Sequence, residues 1–191
     1  MTDTPIKKPE ASPQIEQALF NSRTITIFGE INMDLAQQVT RNIMALASES
    51  ADPIRILINS PGGHVESGDT IHDMIRFVDV PIHMIGTGWV ASAGVVIYLG
   101  AQKEHRFALP NTRFLLHQPS SAMRGVVSDL KIYAEEILKT RDRLNKIISE
   151  ESGMALDKVR KDTDRDFWLG AEEAKQYGLV GEVIHKLRDL H

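Results

Sequence analysis

The sequence predicts an α/β fold with a largely parallel sheet. Short β-rich apolar runs alternate along it with stretches of helical periodicity. Glycine and proline turns separate these runs. The residues that could carry chemistry fall at or just after the ends of predicted strands, where open α/β sheets place their ligand sites.

Residues 1–18, with three prolines up to Pro13 and many polar side chains, read as a flexible N-terminal arm. The domain proper is expected over 19–191. Arg23 to Phe28 is the first strand, and Gly29-Glu30 turns the chain. Apolar residues at Met33, Leu35, Val39, Ile43 and Leu46 predict a helix over Ile31 to about Ser48. Ile54 to Asn59, introduced by Pro53, reads as a buried strand that ends in Ser60-Pro61-Gly62-Gly63. Val65, Ile71, Met74, Ile75 and Val78 mark the next helix, and Pro81 to Gly88 the next strand and turn. A helix is expected to start at Ser92, followed by strands near Arg106–Leu109 and Arg113–His117. Val126 to Ser152 is one long helical pattern closed by Gly153. At 1.5 Å per residue it spans roughly 40 Å, more than a compact domain needs, so it reads as a projecting assembly element. A short helix from Ala171 to about Tyr177 and a last strand, Leu179 to Ile184, complete the chain.

With 191 residues the default is one domain with a substantial core. The net charge of -4 points away from a nucleic-acid surface. Without cysteine there is no disulfide, zinc-thiolate site or cysteine nucleophile, which fits a reducing compartment. No apolar run approaches the roughly 18 residues that span a membrane, and the first residues lack the apolar segment of a secretory signal. The expected location is the cytoplasm. Neither a His-Glu-x-x-His pair nor a P-loop is present.

Ser92, between Gly88 and Gly94 and ahead of Val95–Leu99, looks like a nucleophile at a helix N-terminus, where free N–H groups can stabilise an oxyanion. The competing reading is a capped Gly/Ser/Ala turn. A serine nucleophile needs a neutral imidazole, and the imidazole needs an orienting acceptor. Of seven histidines, His117 at a strand end is the leading candidate and His64, directly after Gly63, its main rival. The acceptor could be any of 26 acidic residues; the densest cluster beside aromatics is Asp162 to Trp168. Asp162, Asp164, Asp166 and Glu173 have EF-hand spacing, but Phe167 stands where that loop needs glycine, so calcium is rejected and no metal is expected.

These residues, taken together, resemble the proteolytic subunit of the Clp protease, a serine peptidase. The likeness runs from about Arg23 to Ile184. Its motifs are Ile58–Gly63, Gly88–Gly94, Arg106–Arg113, His117-Gln118-Pro119, and Asp162–Phe167 followed by Ala171–Ala174. The resemblance implies a crotonase-like α/β fold with a protruding handle helix over about 126–152. It implies Ser92 as nucleophile, His117 as base, Asp166 as orienting acid, and Gly63 and Ala93 N–H groups as the oxyanion hole. His64, Val65, Gln118 and Pro119 would flank an extended substrate. Seven subunits would form a ring and two rings a tetradecamer, with unfolded proteins fed in by an AAA+ unfoldase that uses the ATP; the chain itself would need no cofactor. The sequence departs from the family at its N-terminal segment, at Leu57 where many members place an aromatic in the unfoldase docking pocket, at Trp89, and over Ser120–Gly125. Those departures raise two alternatives: a dormant or regulatory ring subunit activated by a paralogous ring, and, from the shared fold, a crotonase-type acyl-CoA enzyme.

Overall fold

The computed structural model describes residues 12–120 and 124–190. Its first element is a helix where an arm was expected: α1 spans Pro13–Asn21, with the Ser12 side chain accepting from Ile15 N–H and Pro13 at the first helical position. That corrects the expected arm from residue 13 onward; residues 1–11 lie outside the described residues.

Strand β1 (Thr24–Phe28) leads into helix α2 (Met33–Glu49), which buries Ala36, Val39, Ile43 and Leu46 at helical spacing. Strand β2 (Ile54–Ser60) alternates, with Ile54, Ile56, Ile58 and Ser60 buried. Helix α3 (Val65–Phe77) returns the chain to strand β3 (Ile82–Ala91), and after Ser92 comes the short helix α4 (Ala93–Tyr98). Then follow β4 (Arg106–Ala108), β5 (Arg113–Leu116), the long α5 (Val127–Ser152), α6 (Leu156–Asp162), β6 (Phe167–Gly170), α7 (Ala171–Tyr177) and β7 (Glu182–Val183).

The sheet runs β1-β2-β3-β4-β7, all parallel, with β5 added to the far half of β3 and β6 antiparallel to β5. Strand β3 changes neighbours along its length. Met84–Gly86 pair with β4 and Trp89–Ala91 with β5, across a register shift against β2 between Ile58 and Ser60. This irregularity re-aims the strand end that carries Ser92. The core lies between the sheet and helices α2, α3 and α4, around Ile27, Ile43, Ile56, Ile71, Tyr98 and Phe114. The last strand is shorter than expected, since Leu179 and Val180 are buried but lie outside any strand.

Helix α5 matches the expected long element, but its two ends differ. Leu144, Asn145, Ile148 and Ser152 are buried, whereas Val127, Ile132, Tyr133 and Leu138 are exposed. Arg106 anchors the buried end: it is fully buried and donates to the Glu151 carbonyl at 2.9 Å. Burial pulls its guanidinium below the usual range, opposed by the Glu151 carboxylate. Arg76 also binds Glu151 at 2.7 Å, and Arg143 pairs with Asp69 on α3.

Candidate active site

Ser92 joins β3 to α4 with φ 55° and ψ -123°, one of two described non-glycine residues at positive φ. A serine held there is strained by about 1–3 kcal/mol. The surrounding backbone imposes the strain. Ser92 N–H donates to the Leu115 carbonyl of β5 at 3.0 Å, and its own carbonyl accepts from Val95 N–H at 2.9 Å. The turn lifts the side chain off the sheet and leaves it half-buried.

The Ser60–Gly63 turn packs directly on this elbow. The buried Ser60 hydroxyl donates to the Gly29 carbonyl at 2.7 Å and accepts from Gly62 N–H at 3.0 Å. Gly62 has φ +96°, and a Cβ there would lie 2.6 Å from Ser92 Cβ. Gly63, at φ +146°, bridges Ile31 in parallel: Ile31 N–H donates to the Gly62 carbonyl and His64 N–H to the Ile31 carbonyl. In such a bridge the central residue turns its own N–H and C=O to the opposite side. Gly63 N–H and Ala93 N–H, the latter opening α4, are both without an acceptor among the described residues. Asn59 Oδ1 accepts from Trp89 N–H at 3.3 Å and so supports the β3 irregularity.

His117 and Asp166 meet through strand register. Leu116 pairs with Phe167, the last pair of the antiparallel β5–β6 ladder. One step further along both chains stand His117 and Asp166, and Nδ1 of the imidazole lies 3.2 Å from Asp166 Oδ1. With Nδ1–H donating to the carboxylate, Nε2 is left as the acceptor. The His117 side chain is 29% exposed and that of Asp166 66%. Gln118 ties the two loops together: its N–H donates to the Thr163 carbonyl and its Nε2 to the Asp164 carbonyl, each at 2.8 Å. Below them Tyr177 Oη donates to Asp162 Oδ2 at 2.9 Å, and burial together with that bond holds the phenol protonated well above its usual range.

The rival His64 is engaged elsewhere, with Nδ1 2.8 Å from Ser67 Oγ and Nε2 3.2 Å from Glu66. Val65 opens α3, so the extended chain after Gly63 ends at His64. Pro119 is half-buried, and residues 121–123 beyond it lie outside the described residues. Among the described residues Ser92 Oγ makes no hydrogen bond with His117; catalytic bonds in unliganded sites are often long. Asp162 and Glu173 point to other work, the latter accepting from Gly170 N–H at 2.7 Å, and no cluster of three metal-ligating side chains occurs among the described residues.

Sequence reasoning missed the supporting parts. Ser60 and Ile31 hold the Gly62-Gly63 turn, Asn59 supports the bend in β3, and Gly62 gives Ser92 its space. The polar Asn59-Ser60 pair at the end of an apolar strand was the available signal.

The Clp protease family model matches residues 7–187. The ATP-dependent Clp protease proteolytic subunit 3 of Rhizobium etli is 55% identical over 188 residues, covering 98% of this chain and 97% of that protein. The proteolytic subunit 2 of Pseudomonas aeruginosa is 50% identical over 168 residues, covering 88% and 84%. The solved structure of ClpP1 from Listeria monocytogenes superposes with TM-score 0.84 at 49% identity, over 93% of this chain and 99% of that one. The expected fold is thus the observed one, and peptidase chemistry is the family's. Because the likeness runs almost from end to end, on one architecture, the chain belongs to the Clp protease family.

Proposed function

We propose that the chain is a serine endopeptidase subunit in which Ser92, His117 and Asp166 act as a triad. The carrying observation is the strained Ser92 elbow at φ 55°, flanked by the N–H groups of Gly63 and Ala93, which have no acceptor among the described residues. Ser92 Oγ attacks the peptide carbonyl carbon and passes its proton to His117 Nε2. Asp166 holds the imidazole by Nδ1 and stabilises the imidazolium. The carbonyl oxygen, now an oxyanion, accepts from Gly63 and Ala93 N–H. Collapse breaks the C–N bond, His117 returns the proton to the leaving amine, and water attacks the acyl-enzyme by the same relay in reverse.

The outward N–H and C=O of Gly63, with His64 and Val65 beside them, form one wall for an extended peptide, and Gln118-Pro119 the other. Main-chain pairing of this kind tolerates many side chains and suits unfolded proteins as substrates. The reaction needs no cofactor in this chain; ATP is used by a partner AAA+ unfoldase. The exposed apolar side chains of α5 fit a subunit interface, in seven-membered rings stacked as a tetradecamer. The subunit's proposed place of work is the cytoplasm. No helix among the described residues is long and apolar enough to cross a membrane. The dormant-subunit and acyl-CoA alternatives are not favoured, since the relatives are named ATP-dependent proteolytic subunits.

A fluorophosphonate probe tests the proposal. It is expected to label Ser92 in the assembled protein and to abolish cleavage of a fluorogenic peptide. Assembled protein that cleaves the peptide yet labels elsewhere, or does neither, overturns it.

A further inference from the structure

Outside the triad, the most unusual cluster on the surface is a stack of two tryptophans and an arginine. Trp89 and Trp168 lie parallel, 4° apart, with ring centroids 6.3 Å apart. The Arg113 guanidinium sits 4.3 Å from the centre of the Trp168 ring. Trp89 is 42% exposed, so a large aromatic is held at the surface by this stack and not by the core.

The members come from three different strands. Trp89 is on β3 and pairs in register with Arg113 on β5; Trp168 is on β6, opposite Leu115 of β5. These are the strands that carry the triad. Strand β3 runs on into Ser92, β5 into His117, and β6 begins immediately after Asp166. Face matters as well as strand. Val90, Phe114, Leu116 and Leu169 point into the core, leaving Trp89, Arg113, Leu115 and Trp168 on the opposite face. The same alternation, carried two residues past Leu115 and two before Trp168, assigns His117 and Asp166 to that face.

We propose that Trp89, Arg113 and Trp168 form a clamp that holds the strands of nucleophile, base and acid in register, and so are positioning residues for the peptidase reaction. The reason is mechanical. Strand β6 is only four residues long and pairs with β5 alone among the described residues, and Asp166 immediately precedes it with 66% of its side chain exposed. Core packing on one face leaves such a strand free to rock. Offset aromatic stacking and a cation over the ring tie its other face across β5 to β3. A rocking β6 would carry Asp166 away from His117 Nδ1 without unfolding the domain, and displacements of about 1 Å in a catalytic constellation cost on the order of 10²-fold in rate. The stack touches no reacting atom, so it acts on turnover and not on substrate affinity.

The proposal rests on the triad reading, and the two can be told apart. Labelling of wild-type Ser92 by a fluorophosphonate tests the triad alone. Trp168→Leu, Trp89→Leu and Arg113→Met are then compared with wild type for peptide cleavage, at matched assembly state and melting temperature. The expected result is a fall in kcat of about tenfold for each tryptophan variant, and about threefold for Arg113→Met, with KM within about twofold. Trp168→Phe should recover most of the rate. The double variant Trp89→Leu/Trp168→Leu should be no slower than the worse single one, because both act through one stack. Labelled wild type with unchanged kcat in all variants overturns the clamp and leaves the triad standing. A rise in KM at constant kcat also overturns it, making the stack a substrate subsite. Loss of assembly in the tryptophan variants overturns it too if Arg113→Met, assembled, keeps full kcat.

Discussion

The two halves of the site are built differently. The half proposed to hold the nucleophile is backbone: Ser92 at its strained turn, Gly62 and Gly63 at positive φ, and the buried Ser60 hydroxyl bonded to both sides of the turn. Every part of it belongs to a sheet or core contact. The half proposed for proton transfer is side chains at an edge: His117 and Asp166 just beyond the last β5–β6 pair, the acid 66% exposed. In the first half the backbone beside the proposed reacting atoms also holds the fold together, through Ser92 N–H donating to the Leu115 carbonyl and the Ser92 carbonyl accepting from Val95 N–H. In the second half chemistry hangs on the end of the fold and can be removed without disturbing it. Function and stability should therefore be inseparable around Gly62 and separable around Asp166.

Ser92 gives the largest test. Ser92→Ala should lower kcat by about 10⁶ in peptide hydrolysis, as loss of a triad nucleophile does. Ser92→Gly should lose as much activity yet raise stability by about 1 kcal/mol, because glycine occupies φ 55° without strain. Equal melting temperatures for the glycine and alanine variants would show that the elbow stores nothing. Asp166→Asn comes next. It leaves an amide where the imidazole needs an anionic acceptor, and a fall of about 10⁴ in kcat is expected. Since the group is exposed, the denaturation midpoint should move by less than about 0.5 kcal/mol. A large stability loss here would erase the distinction between the halves.

Gly62→Ala is predicted to fail on both counts. The added Cβ would sit 2.6 Å from Ser92 Cβ on a backbone at φ +96°, so the turn or the serine must move. A destabilisation of about 2–4 kcal/mol is expected from strain and overpacking, together with a 10²–10³-fold loss of kcat from a displaced oxyanion donor, about the cost of deleting one. Activity lost at unchanged stability would mean that the turn is less tightly bound to the fold than its contacts imply.

The same contrast explains what could be read in the sequence. Strand β2, helix α3, the Ser92 turn and α7 follow from local patterns, because apolar periodicity and glycine positions encode them directly. The Ser92 turn and the Gly62-Gly63 turn were legible as turns in the same way, but their residues alone left a capped Gly/Ser/Ala turn open beside the nucleophile reading, and the family resemblance decided between them. Asp166 was not legible from its neighbours. Its partnership with His117 is set by the Leu116–Phe167 pairing between segments about 50 residues apart in sequence, and pairing at that range leaves no local signature. Strand β6 itself, four residues at the tail of an acidic run whose EF-hand spacing was rejected at Phe167, carries no strand signature of its own. Helix α1 was hidden by its prolines and polar residues, although Ser12 followed by Pro13 is a helix start. The change of neighbours along β3 is likewise non-local: Pro81 to Gly88 read as a strand ending in a turn, and only the placement of β4 and β5 makes that turn a bend within one longer strand.

The smallest effects sharpen the comparison most, because one hydrogen-bonding side chain can be removed from each half. Ser60→Ala deletes a buried hydroxyl that serves the Gly29 carbonyl and Gly62 N–H, leaving the buried Gly62 N–H without that acceptor. About 1–3 kcal/mol should be lost. For a domain of this size that lowers Tm by roughly 2–10 °C, and kcat should fall with it as Gly62 relaxes against Ser92. Gln118→Ala deletes the 2.8 Å bond to the Asp164 carbonyl, at a half-buried surface position where water can replace the donor. Its Tm should stay within about 2 °C of wild type, corresponding to roughly 0.5 kcal/mol. The loop carrying Asp166 loses one tether, so kcat should fall about threefold. The informative quantity is the ratio of rate loss to stability loss, measured at one protein concentration so that assembly is held constant. It should be several times larger for Gln118→Ala than for Ser60→Ala. A ratio the same for both would mean that the edge of the sheet is as much a part of the fold as its centre.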